Sequence, residues 1–321
     1  MQRRSFIQIA GAGLAASVSS AAFSQSQLSG PITVINPFPP GGGTDTSTRI
    51  IMKKLQDNTG IPVVVESKPG GNTLIGMEAL VRAAPDGRTI GLILNNTTVN
   101  EQLYKGKLNY NLFRDIAPLS LTHGNAHVLL VHPSFPANTL QEFIANVKSR
   151  PGRVTFGSAG SGSVNHLSGE MLKVMGGLDM VHVPYKGIGT LMPDLLSGRI
   201  DALFGALPIG LELTRDKRMK MLAVTTAKRQ PEVPDLPAIA ELYPGYASSS
   251  WFGYAAPGAT PPAIVNRLSA ELVKVMKDPD TAARLANFQI FGTTPAEFTD
   301  FLKRDIQQAS QLIIKANVKL D

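Results

Sequence analysis

Short apolar runs alternate along this chain with longer segments whose apolar residues recur every three or four positions. Ile32-Thr33-Val34-Ile35, Val63-Val64-Val65 and Thr89-Ile90-Gly91-Leu92-Ile93-Leu94 are the first three runs. Such near-continuous apolarity is expected of strands covered on both faces. Between the first two, Ile50, Ile51 and Leu55 mark the inner face of a helix reaching about Asp57, with Thr44 or Asp45 as its cap. Leu74 to Ala84 predicts a second helix, and Asn95-Asn96-Thr97-Thr98 reads as a polar loop after the third strand. A second set opens with the strand His127 to His132. Thr139 and Glu142 have capping-box spacing for a helix to about Lys148, and Val154-Thr155-Phe156 is the next strand. Val164 to Met175 follows as a helix with Leu167, Met171, Leu172 and Val174 toward the core. Met180 to Val183, Ile200 to Phe204 and Met221 to Val224 are further strands. Strands alternating with helices predict a parallel α/β organisation.

After Ser248 the pattern changes. Ser248 to Ala255 predicts a strand crossing back to the first unit. Two long amphipathic helices follow, Pro262 to Lys277 and Pro295 to about Asn317, each opened by proline. The chain then divides into two domains, 25–126 with 249–321 and 127–248, with the helical C-terminal segment packed on the first. No short fixed repeat is visible.

Three glycine-bearing loops sit where a strand hands over to a helix. They are Pro37-Phe38-Pro39-Pro40-Gly41-Gly42-Gly43-Thr44-Asp45, Gly157-Ser158-Ala159-Gly160-Ser161-Gly162-Ser163, and Val183-Pro184-Tyr185-Lys186-Gly187. Glycine lets backbone approach a ligand, and a helix start offers unpaired N–H groups and partial positive charge. Each loop alone is also what an ordinary tight turn looks like; three together point to an anion-binding cleft. Backbone near Gly42, Gly43 and Gly160 could receive a carboxylate, with Thr44, Asn96, Ser158, Ser161 and Ser163 adding neutral hydrogen bonds. Asp45 would be out of place beside an anion and is expected to cap the first helix, fix its loop or hold a water. Phe38 and Tyr185 are either apolar walls or packed loop anchors.

Composition narrows the options. The chain has 321 residues, of which 43% are hydrophobic and 17% charged, with a formal charge of +7. That length suits two domains. No block of five or six basic residues appears, so nucleic acid is not an expected partner. Cysteine is absent, which removes disulfides, thiolate metal sites and thiol nucleophiles. Arg3-Arg4-Ser5-Phe6-Ile7 precedes a short small-residue apolar stretch, and Ala22 and Ser24 suit a cleavage site. Residues 1–24 therefore predict an export signal resembling the twin-arginine type, with general secretory export as the alternative. They carry two arginines and no acid, so their loss leaves a charge of about +5. A soluble periplasmic protein without a membrane span is expected.

The chain contains no HExxH, Walker phosphate loop or G-x-S-x-G elbow. His166 and Glu170 share a predicted helix face but lack a third metal ligand, so His166 is read as lining or capping the second loop. His182 is read as a paired or exposed strand residue. Nothing in the sequence places Ser158, Ser161 or Ser163 beside a base.

The loops, with Ala83-Ala84-Pro85-Asp86-Gly87, His166-Leu167, Leu222 to Arg229 and Ser249-Ser250-Trp251-Phe252-Gly253, appear in an order that resembles the Bug family of extracytoplasmic solute-binding proteins. These are receptors of tripartite tricarboxylate transporters, and the similarity covers essentially the whole mature chain. The resemblance implies an α/β two-domain periplasmic binding protein fold, type II-like, with the ligand cleft between the domains. It implies no catalytic activity; no cofactor and no metal site are expected either. On this chain the family's carboxylate site maps to Phe38 through Asp45, Asn96 and Thr97, and Ser158, Ala159, Ser161 and Ser163 with His166, with Tyr185 at the third loop. Family members usually carry Asp and Asn after the strand at Phe204, where this chain has Gly205 and Ala206. That difference implies a ligand without an amino group, first an aromatic carboxylate or dicarboxylate, second a citrate-like tricarboxylate. The expected partners are that ligand and the transporter's membrane components, for a monomeric receptor. The rival readings are a ligand sensor acting on a two-component kinase, and a periplasmic hydrolase using a loop serine.

Overall fold

The computed structural model describes residues 30–318, so the expected export signal at 1–24 lies outside the described residues. Ten strands form one continuous mixed sheet: β1 Ile32–Asn36, β2 Val63–Ser67, β3 Thr89–Leu94, β4 Ile116–Val131, β5 Val154–Ser158, β6 Met180–Pro184, β7 Ala202–Ala206, β8 Lys220–Val224, β9 Ser249–Pro257 and β10 Gln289–Ile290. The order is β2-β1-β3-β9-β4-β7-β5-β6, with β8 and β10 also pairing β4. Parallel pairs β1–β2, β1–β3, β5–β6 and β5–β7 lie in two separate groups, as the alternation of strands and helices requires.

The two groups meet on β4. From Ile116 to Ala126 it pairs antiparallel with β9, ending at Ala126↔Ser249. From His127 onward it pairs with β7 and β8. The strand is therefore much longer than the expected His127 to His132. Pro118 and the polar residues Ser120, Thr122 and His123 break the apolar run in the sequence, but all three polar residues are fully buried. A bulge at Pro118 accommodates the residue that cannot donate to the ladder.

Helices cover both faces of each group. The helix Gly43–Thr59 packs Ile51, Met52 and Leu55 into the first lobe with Ile264, Leu268 and Leu272 of the helix Pro262–Met276. The second lobe closes around Phe143, Phe156, Leu172, Phe204 and Tyr246. The expected helices at 139–148 and 164–175 are found as Leu140–Ser149 and Val164–Gly176. Val174, expected in the core, is 39% exposed because it lies on the outer side of its helix. The helix expected to run to Ala84 ends at Val81 and is preceded by a 3-10 turn, Gly71–Thr73.

The C-terminal helix Pro295–Ala316 opens with a capping box. Thr294 Oγ1 accepts from Glu297 N–H, and the Glu297 carboxylate accepts from Thr294 N–H at 2.8 Å. Its first half buries Phe298 and Leu302 completely in the first lobe, each worth about 2–3 kcal/mol. Its last turns, Leu312 and Ile313, pack on Leu167 and Met171 of the second lobe. The helix thus spans both lobes rather than lying on the first alone. No helix among the described residues is long and apolar enough to cross a membrane.

Candidate functional site

A cleft of about 400 Å³ opens where the two strand groups meet. One wall comes from the loop after β1, the Pro69–Thr73 segment and the start of the helix Asn95–Leu103. The other comes from the loop after β5, and Ser250 and Phe252 of β9 form the floor between them.

The first loop is built around Asp45. Its carboxylate accepts from Gly41 N–H at 3.0 Å, from Asn36 Nδ2 at 3.4 Å, and pairs with Arg49 at 2.9 Å. Arg49, followed by the Gly41 N–H, holds this carboxyl below its usual range. Asp45 is thus a buried brace for the loop and not a cleft residue. The helix start at Gly42 has no side-chain cap, so its first N–H groups are not taken up by a capping oxygen. Gly42 and Gly43 are exposed beside the cleft with open space at both Cα positions, while Phe38 and Thr44 line it.

The polar loop expected at 95–98 is the first turn of a helix. Thr97 turns back on the chain, its Oγ1 accepting from Leu94 N–H at 3.3 Å, and is fully buried. Asn96 faces the cleft instead, where its Nδ2 donates to Asn72 Oδ1. Asn72 is the centre of this wall. Its Nδ2 donates to Asn100 Oδ1 at 2.7 Å, and Asn100 Nδ2 donates back to Asn72 O at 2.9 Å. Asn72 and Thr73 have φ of 52° and 76°, the left-handed region. Asn tolerates it better than most residues, but Thr is strained there. Asn95 ties the same helix to the crossing strand, accepting from Trp251 N–H at 3.0 Å and donating to Ser249 O at 3.1 Å.

The second wall is held from beneath. Ser158 is fully buried, and its Oγ accepts from Gly160 N–H at 3.1 Å and lies 2.7 Å from His182 Nε2. The β5–β6 register pairs Phe156 with His182, which brings the ring to the serine. A base therefore does stand beside Ser158, contrary to expectation, but the serine is sealed below the loop. His166 Nδ1 accepts from Gly162 N–H at 3.0 Å, its Nε2 lies 3.8 Å from Glu170, and its ring stacks on His182 at 3.7 Å. Among the described residues no cluster of three His, Asp or Glu side chains is placed to hold a metal ion. Ser163 Oγ caps the helix Val164–Gly176. Asn165 Nδ2 donates to Phe204 O at 2.7 Å, joining the wall to β7.

Of the expected site residues, Phe38, Thr44, Asn96, Ala159, Ser161 and Ser163 come together as cleft lining. Gly42 and Gly43 flank it; Asp45, Thr97, Ser158 and His166 support it from behind. Tyr185 is directed elsewhere, its hydroxyl donating to Asp194 at 2.8 Å. A Cβ at Gly205 would meet Leu130 and Leu203 side chains at 3.1 and 3.2 Å, so this position faces the apolar layer rather than the cleft. Asn72, Thr73, Asn165, Ser250 and Phe252 also line the cleft and were not expected there. Gly70-Gly71-Asn72, a sequence that favours left-handed backbone, was a signal for the first two, and the Ser249-Ser250-Trp251-Phe252-Gly253 motif for the last two. Among the described residues lining the cleft, none is Asp, Glu, Lys, Arg or His. Polar contact there is limited to amides, hydroxyls and backbone, set against Phe38, Leu94, Val164 and Phe252.

Comparison with known proteins agrees with this architecture. BugT of Bordetella pertussis is 33% identical over 321 residues, covering 98% of this chain and 96% of that one. The structure of R. palustris Rpa4515 with adipate superposes with a TM-score of 0.81 at 28% identity, covering 92% of this chain and 99% of that one. MatC from Rhodopseudomonas palustris with bound malate gives 0.77 at 27% identity, covering 89% and 100%. The model of the tripartite tricarboxylate transporter family receptor matches residues 47–318, and the chain belongs to that family, the one that includes the Bug proteins.

Proposed function

We propose that this protein is a periplasmic receptor that captures a small carboxylate by closing its two lobes and delivers it to the membrane components of a tripartite tricarboxylate transporter. The proposed lobes are 25–126 with 249–321, and 127–248, of which 25–29 and 319–321 lie outside the described residues, and they would turn about the β4 and β9 crossings. The observation that carries the reading is the uncharged cleft, rich in neutral donors and lined also by Phe38, Leu94, Val164 and Phe252. Neutral amides, hydroxyls and backbone N–H groups can hold a carboxylate with charge-assisted hydrogen bonds and need no cationic side chain. Adipate and malate in the related structures are carboxylates of this size.

The same cleft sets the ligand class. Among the described lining residues no acidic side chain is present to receive an ammonium group, which favours a ligand without one. Three carboxylates of a citrate-like ligand would enter without a counter-charge, whereas an aromatic body would bury against Phe38 and Phe252. An aromatic carboxylate or dicarboxylate is therefore preferred. Catalysis is not part of the proposal, because Ser158, the serine with a neighbouring imidazole, is buried below the cleft.

A melting screen tests it. Ligand at a hundredfold excess over Kd stabilises by about 2.7 kcal/mol. For a chain of this size that raises Tm by roughly 5 °C. Benzoate or terephthalate should do so, and alanine and benzyl alcohol should not. A shift given by amino acids alone would refute the proposal.

A further inference from the structure

A second cavity, of about 250 Å³, lies on the other side of the crossing strand. Successive side chains of a strand point to opposite faces. In β9, Ser250 and Phe252 face the carboxylate cleft, while Ser249 and Trp251 face this cavity. Its walls come from both lobes. The helix Val164–Gly176 supplies Leu167 and Met171, and the C-terminal helix supplies Phe301, Asp305 and Leu312.

Most of the wall is apolar, Asn95, Ser248, Ser249 and Gln308 add neutral polar groups, and Asp305 is the one charged side chain among the described lining residues. Thr98 Oγ1 donates to Asp305 Oδ2 at 2.5 Å, and Trp251 Nε1 donates to the same oxygen at 3.1 Å. Oδ2 thereby braces the helix Asn95–Leu103 and β9. Oδ1 takes part in neither bond, and the carboxyl has no salt-bridge partner among the described residues. No Lys, Arg or His is among the described lining residues either. Burial pushes this carboxyl above its usual range, and the two neutral donors only partly oppose that. A carboxyl group at the edge of a mainly apolar cavity, with one oxygen outside both bonds and no cation among the described lining residues, is the complement of an ammonium group carried on an apolar body.

We propose that this cavity is a second small-molecule site, which takes a small primary ammonium whose N–H groups donate to Asp305 Oδ1 while its apolar body packs on Trp251, Phe301, Met171 and Leu312. The site has the opposite charge preference to the carboxylate cleft and does not depend on what the cleft binds.

Trp251 is the only tryptophan of the chain, and its indole N–H is bonded to Asp305, so its emission reports the site. Purified protein is titrated with benzylammonium chloride and, separately, with benzyl alcohol at fixed ionic strength. Benzylammonium should change Trp251 emission saturably below about 10 mM, and the alcohol should bind roughly tenfold more weakly or less, as a lost charged hydrogen bond implies. Asp305→Asn keeps the shape and should reduce the ammonium to the alcohol's affinity. Ala309→Leu fills the cavity and should abolish binding of both; it carries the test if the Asp305 variant does not fold. Equal binding of amine and alcohol to the unaltered protein, no saturable change, or binding that survives Ala309→Leu would each overturn the proposal.

Discussion

Asn72 offers the sharpest test of how the cleft wall is held. Two separate effects converge on this residue, and two substitutions divide them. Asn72→Gly removes the side chain but keeps a residue at ease with φ of 52°. It breaks the bond from Asn72 Nδ2 to Asn100 Oδ1 at 2.7 Å and the bond from Asn96, while Asn100 Nδ2 keeps its backbone partner, the carbonyl of residue 72. Asn100 is fully buried, so its amide oxygen is left unmet. Net bonds of about 1 kcal/mol each, plus the cost of that buried group, give a loss of about 2–3 kcal/mol. Asn72→Ala loses the same bonds and also forces a Cβ into left-handed backbone, which adds about 1 kcal/mol. Urea unfolding of the three proteins measures both differences, because the change in midpoint converts to free energy when the slope is constant. Equal stability of the Gly and Ala variants would refute the strain argument. A Gly variant as stable as the parent would refute the bonding argument.

Other consequences follow from the same geometry. Asn96→Asp places an anion in a cleft without charge; at 4 Å and an effective dielectric near 20 the repulsion is about 4 kcal/mol, so carboxylate affinity should fall more than about a hundredfold in calorimetry. Gly162 has φ of 79° and its Cβ would stand 2.7 Å from Leu103 Cδ1 on the opposite wall. Gly162→Ala should therefore lower Tm by the cost of left-handed strain and weaken ligand binding by roughly tenfold; unchanged affinity would show that the contact does not matter for closure. Burial lowers His123 to about 3 and His127 to about 4, below the value of 6.5 expected when unfolded. The unfolded chain then binds more protons between pH 4 and 6.5, so stability is full above pH 6.5 and falls as the pH drops. The slope should be about 1.4 kcal/mol per pH unit for each histidine, and His127→Gln should flatten part of it. A urea midpoint that stays constant from pH 6.5 to 4.5 would contradict this.

The strands, the proline-opened C-terminal helices and the loop after β1 were legible because each rests on local chemistry: a run of buried apolar residues, a cap, a glycine turn. β4 was not, because Ser120, Thr122 and His123 look exposed in sequence, yet β9 and the helices cover them. Asn95 to Thr98 read as a loop because the cap position is Leu94, which has no capping side chain; the Thr97 hydroxyl closes the helix start by accepting from Leu94 N–H. The Asn72 cluster joins residues 28 positions apart, and no local pattern encodes such a pair. Gly205 shows a different limit: a strand's faces alternate with every residue, so a position next to the cleft in sequence can point into the core. Ser158 and His182 meet only through the register of two parallel strands.

Selection of a carboxylate by an uncharged cleft between two lobes is the proposed function. Isothermal titration of the purified protein with terephthalate, benzoate and citrate, each beside its neutral amide, tests it most directly. One-to-one binding of an aromatic carboxylate, loss of that binding in the amide, and its suppression by Asn96→Asp are expected. Binding of the amide as tightly as the acid, or carboxylate binding unaffected by Asn96→Asp, would contradict it.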